Sequence, residues 1–131
     1  MCIFCDIVAG KIPAFKLYED EKVLAFLDIS QVTKGHTLII PKAHYDHFLD
    51  CDSETLDIMM HVAQRLGNHI MECTKAKGMH ILSNIHEAAG QSVPHFHLHI
   101  IPRYDEHDAC IIQFNSSEEQ DLQQLQKQLA L

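Results

Sequence analysis

Three of the eleven histidines in this 131-residue chain, His95, His97 and His99, alternate with Phe96, Leu98 and Ile100. A period of two sends successive side chains to opposite faces of a β-strand. The imidazoles then share one face in steps of about 6–7 Å, and the apolar residues take the other, where a core would cover them. Such a row of rings admits three readings. Neutral imidazole is a zinc ligand, it can attack phosphorus as a covalent catalyst, or the rings have no joint role. The upstream residues favour the second. A phosphoryl group in transfer needs hydrogen-bond donors aimed at its non-bridging oxygens. Asn84 and Gly90-Gln91-Ser92 offer carboxamides, a hydroxyl and backbone N–H groups, with glycine permitting close approach. A metal site there would call for carboxylates, and this loop carries only Glu87.

A second constellation sits at the start. Cys2-Ile3-Phe4-Cys5 is a Cys-x-x-Cys pair, open to three readings: a shared metal ion, a redox couple or two buried thiols. Cys51, Cys73 and Cys110 read as free thiols. The histidines His47, His61, His69, His80 and His107 read as packed or solvated side chains.

The elements that must position these groups read as one α+β domain over 1–131, with a core of about 2–103 and a C-terminal extension, 104–131. Residues 3–9 suggest a short helix ending near Gly10, and Pro13 breaks it. Leu17–Glu19 and Val23–Leu27 read as strands around the turn Asp20-Glu21-Lys22. His36–Ile40 reads as a third strand stopping at Pro41, and 42–51 as irregular. Apolar residues at Leu56, Met59, Met60, Ala63, Leu66, Ile70 and Cys73 mark one stripe of a helix over 53–75. Asp52 or Ser53 caps its start and Gly78 lies just beyond its end. Met79–Ser83 is a fourth strand, 84–92 a loop, and the histidine row a fifth strand ended by Pro102. Cys110–Phe114 suggests a sixth extended piece. Ser116 and Glu119 suggest a capping box opening a last helix, with Leu122, Leu125 and Leu129 as a seam.

Eighteen acidic against ten basic side chains give a net charge of −8. That field does not favour an anionic nucleic-acid polymer, so any nucleotide must be drawn by a local pocket. No segment suggests a signal peptide or a membrane span, and five scattered cysteines do not suggest a disulfide framework. A cytoplasmic address is expected.

With Asn84, Gly90-Gln91-Ser92-Val93, Asp28-Ile29-Ser30 and His36-Thr37-Leu38-Ile39-Ile40-Pro41-Lys42 at their spacings, the histidine row resembles the histidine-triad (HIT) superfamily. The branch it is most similar to is the bacterial histidine-triad nucleotide-binding proteins, over about Cys2 to Arg103. That resemblance implies an antiparallel sheet of about five strands with one long helix. It implies that His97 attacks the α-phosphate of a purine nucleotide conjugate, forming a nucleotidyl-histidine that water hydrolyses without a catalytic metal. It further implies that Asp28 binds the ribose, and that Phe4, Ile7, Phe26 and Ile29 sandwich the purine. Asn84, Gly90, Gln91, Ser92 and His99 then line the phosphate, with His36 behind the nucleophile, holding its tautomer or relaying charge. Relatives with the N-terminal pair imply a structural zinc on Cys2, Cys5, His44 and His95, and the branch implies a homodimer. A nucleoside phosphoramidase is the leading expectation; a dinucleoside polyphosphate hydrolase or a nucleotide-sensing module is the alternative. One departure stands out. Where many relatives carry glycine two residues after Asn84, this chain has His86, and a positive φ there would strain it.

Overall fold

Five strands make one antiparallel sheet in the computed structural model, which describes residues 1–131. They are β1 (Lys16–Glu19), β2 (Val23–Leu27), β3 (Thr37–Pro41), β4 (Gly78–Leu82) and β5 (Leu98–Arg103), in the order β1-β2-β3-β5-β4. Three helices accompany them: α1 (Ile3–Val8), α2 (Ser53–Thr74) and α3 (Leu122–Leu129). This is the expected α+β architecture.

Strand alternation divides the molecule into two apolar layers. Val23 and Ala25 of β2, Ile39 of β3, and Phe96, Leu98 and Ile100 face one way, onto Met59, Val62, Ala63 and Ile70 of α2. Leu24, Phe26, Leu38 and Ile40 face the other way, onto Phe4 and Ile7 of α1. The histidines, out of phase with Phe96, Leu98 and Ile100, therefore fall on the α1 side. The β1–β2 turn closes through Asp20, whose carboxylate accepts the N–H groups of Lys22 (2.7 Å) and Val23 (2.8 Å). Gly35 turns at φ 95°, and a Cβ there would press to 3.3 Å on Pro102; only glycine fits both demands.

Several boundaries differ from expectation. The ladder in β5 starts at Leu98, not His95. β3 ends on Pro41, which has no N–H to offer the residues before Leu98, and Phe96 instead donates to Tyr45 O (2.7 Å). Pro102 does not end the strand but lies inside it opposite Met79, beyond Ile100 where pairing with β3 stops. One side of β5 has no partner there, so a missing donor is tolerated. Pro41 is likewise the last residue of β3 rather than a stop before it. Asp52 caps α2, accepting from Thr55 N (3.1 Å), but the far end closes on Lys75 in the left-handed conformation (φ 60°), and Gly78 opens β4. The buried stripe of α2 includes Thr55, Val62 and Gly67, whereas Met60 and Cys73 are exposed. No strand forms over Cys110–Phe114: Cys110 is buried, and Ile111 and Phe114 are exposed. The Ser116 capping box does not form either. α3 begins at Leu122 under an Asp121 cap; of the expected seam, Leu122 and Leu129 are mostly exposed and Leu125 is half-buried. An isolated helix this short has no apolar surface to anchor it at Ser116.

Candidate functional site

The residues 95–97 are held by bonds outside the sheet. His95 N–H reaches Val93 O (2.8 Å), Phe96 N–H reaches Tyr45 O, and the Ser83 hydroxyl donates to His97 O (2.7 Å). Each ring then finds a different partner.

His97 is 4 % exposed, and its Nδ1 sits 2.7 Å from the carbonyl of His95. A carbonyl only accepts, so Nδ1 carries the hydrogen and Nε2 keeps its lone pair. No buried side-chain nitrogen or oxygen is left without a partner, so Nε2, which has none, reaches open space. Burial pushes the His97 pKa below the usual histidine value, against the raising effect of the His95 carbonyl and Asp28. The ring is a neutral imidazole with a defined tautomer and an accessible lone pair on Nε2.

A relay of rings lies beside it. Val32 N–H points at His36 Nδ1 (3.5 Å), so His36 Nε2–H is the donor to His99 Nδ1 at 3.0 Å. That leaves His99 Nε2–H as a free donor. Burial, with His97 and His36 nearby, pushes the His99 pKa down to about 4, so it donates as neutral imidazole near neutral pH. His36, 3 % exposed, thus stands behind His99 and not behind His97; of the two expected roles, the tautomer of His97 is held instead by the His95 carbonyl, and the bond to His99 is what a relay would use.

A cavity of about 410 Å³ opens in front of these rings. Its apolar wall includes Phe4, Ile7, Phe26 and Leu38, and its rim carries the exposed Ile29 and the carboxylate of Asp28. Ser92, His97 and His99 close the polar end. Phe4 meets Phe26 and His97 edge-on, at 5.7 and 5.2 Å between ring centres. An aromatic-floored slot, a carboxylate and a row of donors can take a flat heterocycle, a diol and an oxyanion in that order.

Three expected contacts, Asn84, Gly90 and Gln91, lie outside this lining. Asn84 turns its amide towards Gly90 O (3.4 Å). The Gln91 carboxamide is fully engaged in closing the loop, accepting from His86 N (2.8 Å) and donating to Asp46 O (2.6 Å) and Val93 O (3.0 Å). His86 does take positive φ, 68° with ψ 164°, and its ring packs edge-on against His47 at 4.8 Å.

His95 belongs to a separate cluster. Cys2, Cys5, His44 and His95 each bring one ligand atom within 4.8 Å of the others. Cys2 Sγ to His95 Nδ1 is 3.3 Å, Cys5 Sγ to His44 Nδ1 3.4 Å, and Cys5 Sγ to His95 Nδ1 3.6 Å. Sulfur and nitrogen ligands on one tetrahedral ion stand about 3.5 Å apart, given bonds of about 2.3 and 2.0–2.1 Å. The second nitrogens are already tied down: His95 Nε2–H donates to Pro41 O (2.9 Å) and His44 Nε2 meets Asp46 Oδ1 (3.0 Å). Both Nδ1 lone pairs therefore face the thiols, as metal-ligating histidines require. Burial pushes the Cys2 thiol up, but its bonds from Cys5 and His44 prevail and hold it low. The cluster can hold a metal. Asp46, which orients His44, escaped the sequence reading; its one signal was its place two residues after a candidate ligand.

A family model for the HIT domain matches residues 9–106. The chain is 51 % identical over 107 residues to the protein hit of Bacillus subtilis, covering 82 % of this chain and 74 % of that one. It superposes on the histidine triad nucleotide-binding protein of Candida albicans with a TM-score of 0.88 at 32 % identity, covering 98 % and 94 % of the two chains. A zinc-bound histidine triad family protein of Mycobacterium smegmatis is 40 % identical, with a TM-score of 0.78 over 88 % and 84 %. With the histidine row, its cavity and these matches in agreement, the chain belongs to the HIT family.

Proposed function

We propose that this chain is a nucleotide-binding hydrolase or transferase that acts at the α-phosphate of purine nucleoside phosphoramidates or related AMP conjugates. The observation that carries the reading is the single free nitrogen of His97, its lone pair left available by the 2.7 Å bond from Nδ1 to the His95 carbonyl. Nε2 forms a bond to phosphorus as the bond to the leaving group breaks, and the departing amine takes a proton from solvent, the one that the later water step returns. The imidazole becomes cationic, and its Nδ1–H, against a carbonyl, stabilises that charge. Water then bonds to phosphorus as the P–Nε2 bond breaks, its electron pair returns to the ring, and the proton goes to solvent. His99 Nε2–H and the Ser92 hydroxyl serve the non-bridging oxygens. Asp28 takes the ribose hydroxyls, and Phe4, Ile7, Phe26 and Ile29 take the purine. Gln91 and His36 act by position, the one shaping the loop and the other fixing the His99 tautomer. Asn84 and Gly90 shape the same loop. A nucleotide-binding relative and a zinc-bound one are in keeping with this.

Rapid quenching with an adenosine phosphoramidate followed by peptide mass spectrometry tests it. An adenylyl group on the peptide at His97 is expected; its recovery on another residue, or on none during active turnover, would overturn the mechanism. The same reading gives the thiol cluster a structural Zn²⁺, because two thiolates and two imidazoles form a closed, soft ligand set. It also gives a homodimer in the cytoplasm. β4 is an unpaired edge with Ile81 half exposed, and Met60 of α2 is uncovered. No helix is long and apolar enough to cross a membrane. Sedimentation of Ile81→Lys against the parent protein checks the dimer.

A further inference from the structure

At the other end of the histidine row from the thiols, Asp28, His36 and His99 bring one ligand atom each within 4.8 Å of one another. His36 Nε2 lies 3.0 Å from His99 Nδ1 and 3.7 Å from Asp28 Oδ2. Ligands about 2.0–2.2 Å from a tetrahedral ion stand roughly 3.3–3.5 Å apart, so these two spacings bracket the edge of such a site. We propose that Asp28, His36 and His99 form a second, inhibitory site for a borderline divalent ion such as Zn²⁺, whose occupancy excludes the nucleotide.

The backbone holds the three residues ready. Asp28 N–H donates to His36 O (3.0 Å), and Gln31 Nε2 bridges the carbonyls of Asp28 (2.6 Å) and His36 (2.7 Å). His99 stands opposite Leu38 in the ladder, two residues from His36. Within the site, Asp28 Oδ1 accepts from Ser30 N (2.8 Å), which leaves Oδ2 for an ion. The ion replaces the hydrogen shared by the two rings. That hydrogen moves from His36 Nε2 to Nδ1, which turns the long 3.5 Å contact from Val32 into two facing donors, a cost that the metal bonds offset, and no proton is released. Two neutral imidazoles and one carboxylate carry a charge of −1, within a chain of net charge −8. Such a donor set suits zinc, and three protein ligands leave its fourth position open.

The inhibitory consequence rests on the nucleotide reading: the ion occupies the Asp28 carboxylate assigned to the ribose hydroxyls, whereas His99, bound through Nδ1, keeps its Nε2–H. Metal and nucleotide then compete, each weakening the other by the same factor. The binding itself does not depend on that reading.

Calorimetric titration of Zn²⁺, and optical titration of Co²⁺, into protein already carrying one equivalent at the thiol cluster tests the proposal. A second equivalent is expected, its Co²⁺ spectrum free of thiolate charge-transfer bands. Saturating AMP should weaken it at least tenfold, Asp28→Asn at least tenfold, and His36→Gln should abolish it, while the first equivalent is unaffected. Stoichiometry stopping at one overturns the proposal. So does a second equivalent that survives both substitutions, as it would on the exposed His69–Cys73 pair of α2. A second equivalent sensitive to both substitutions but indifferent to bound AMP overturns the competition. AMP failing to bind at all strikes the nucleotide reading, while the substitutions still decide the metal site.

Discussion

His95 and His97 are two residues apart on one segment, share a face, and both touch Phe4, yet they face opposite chemistries. His95 hydrogen-bonds through Nε2 to a backbone carbonyl and presents Nδ1 to two thiols. His97 hydrogen-bonds through Nδ1 to a backbone carbonyl and presents Nε2 to a cavity. The carbonyl chosen by one nitrogen determines what the other can do. The lesson is that function here is assigned by tautomer, and tautomer by main chain. Residue type alone does not separate a ligand from a nucleophile.

The sharpest break in that comparison is to remove the free nitrogen. His97→Asn should lower turnover of an adenosine phosphoramidate by roughly 10⁴-fold or more, while zinc content and thermal midpoint stay near those of the parent. Steady-state kinetics beside metal analysis reads both. Removing the other ring reverses the pattern. His95→Asn or Cys5→Ser should release the metal and lower stability by about 2–5 kcal/mol, the range for losing a structural cross-link or breaking a buried charged pair. Zinc analysis and denaturant unfolding with and without chelator measure it, and equal stability in both would sink the structural role of the ion.

Much of this was legible in the amino-acid sequence. The period-two alternation predicted that the three rings share one face and that Phe96, Leu98 and Ile100 take the other, under a core; that α2 covers the apolar face and α1 the ring face is what the structure adds. The four thiol-cluster residues and the lining residues Phe4, Asp28, Ser92, His97 and His99 come together where the motifs put them. What escaped was set by single backbone bonds. The pairing of His36 with His99 follows from where Val32 N–H points, and the engagement of Gln91 follows from the carbonyls of Asp46 and Val93. Neither leaves a periodic trace. The C-terminal reading failed for a different reason: a capping pattern at Ser116 is a local preference, and no surface packs on that turn to realise it.

Acid opposes the rings that burial keeps neutral, His99 among them. His99 is held at about 4, against 6.5 for an unperturbed histidine. The unfolded chain therefore binds a proton that the folded one refuses as pH falls through 6.5. Stability is full above 6.5 and declines towards pH 4, by about 1–3 kcal/mol once solvent screening is allowed for. Urea unfolding of the parent and of His99→Gln from pH 7 to 4.5 isolates this contribution: the variant should show the shallower acid slope, and parallel slopes would contradict it.

The smallest effect concerns the loop that carries Ser92. His86 sits at φ 68° and ψ 164°, a region open to glycine and costly for a side chain. Its ring makes no hydrogen bond and keeps one edge-on contact with His47. Replacing it relieves the backbone and loses that contact, two opposed terms of similar size. Strain at such angles amounts to about 1–3 kcal/mol, against about 0.5–1.5 kcal/mol for an aromatic pair. Glycine's greater freedom in the unfolded chain offsets roughly another 0.5–1 kcal/mol, so His86→Gly should stabilise the protein by only about 0.3 kcal/mol, roughly one degree in Tm. Because Gln91 accepts from the backbone N–H of residue 86, the bond that closes the loop survives the change, and kcat on an adenosine phosphoramidate should move less than about threefold, well under 1 kcal/mol. Calorimetry and kinetics on the one variant decide it: a lower Tm would mean that the ring contact and glycine's freedom outweigh the strain, and a large loss of kcat would make His86 part of the loop's working geometry.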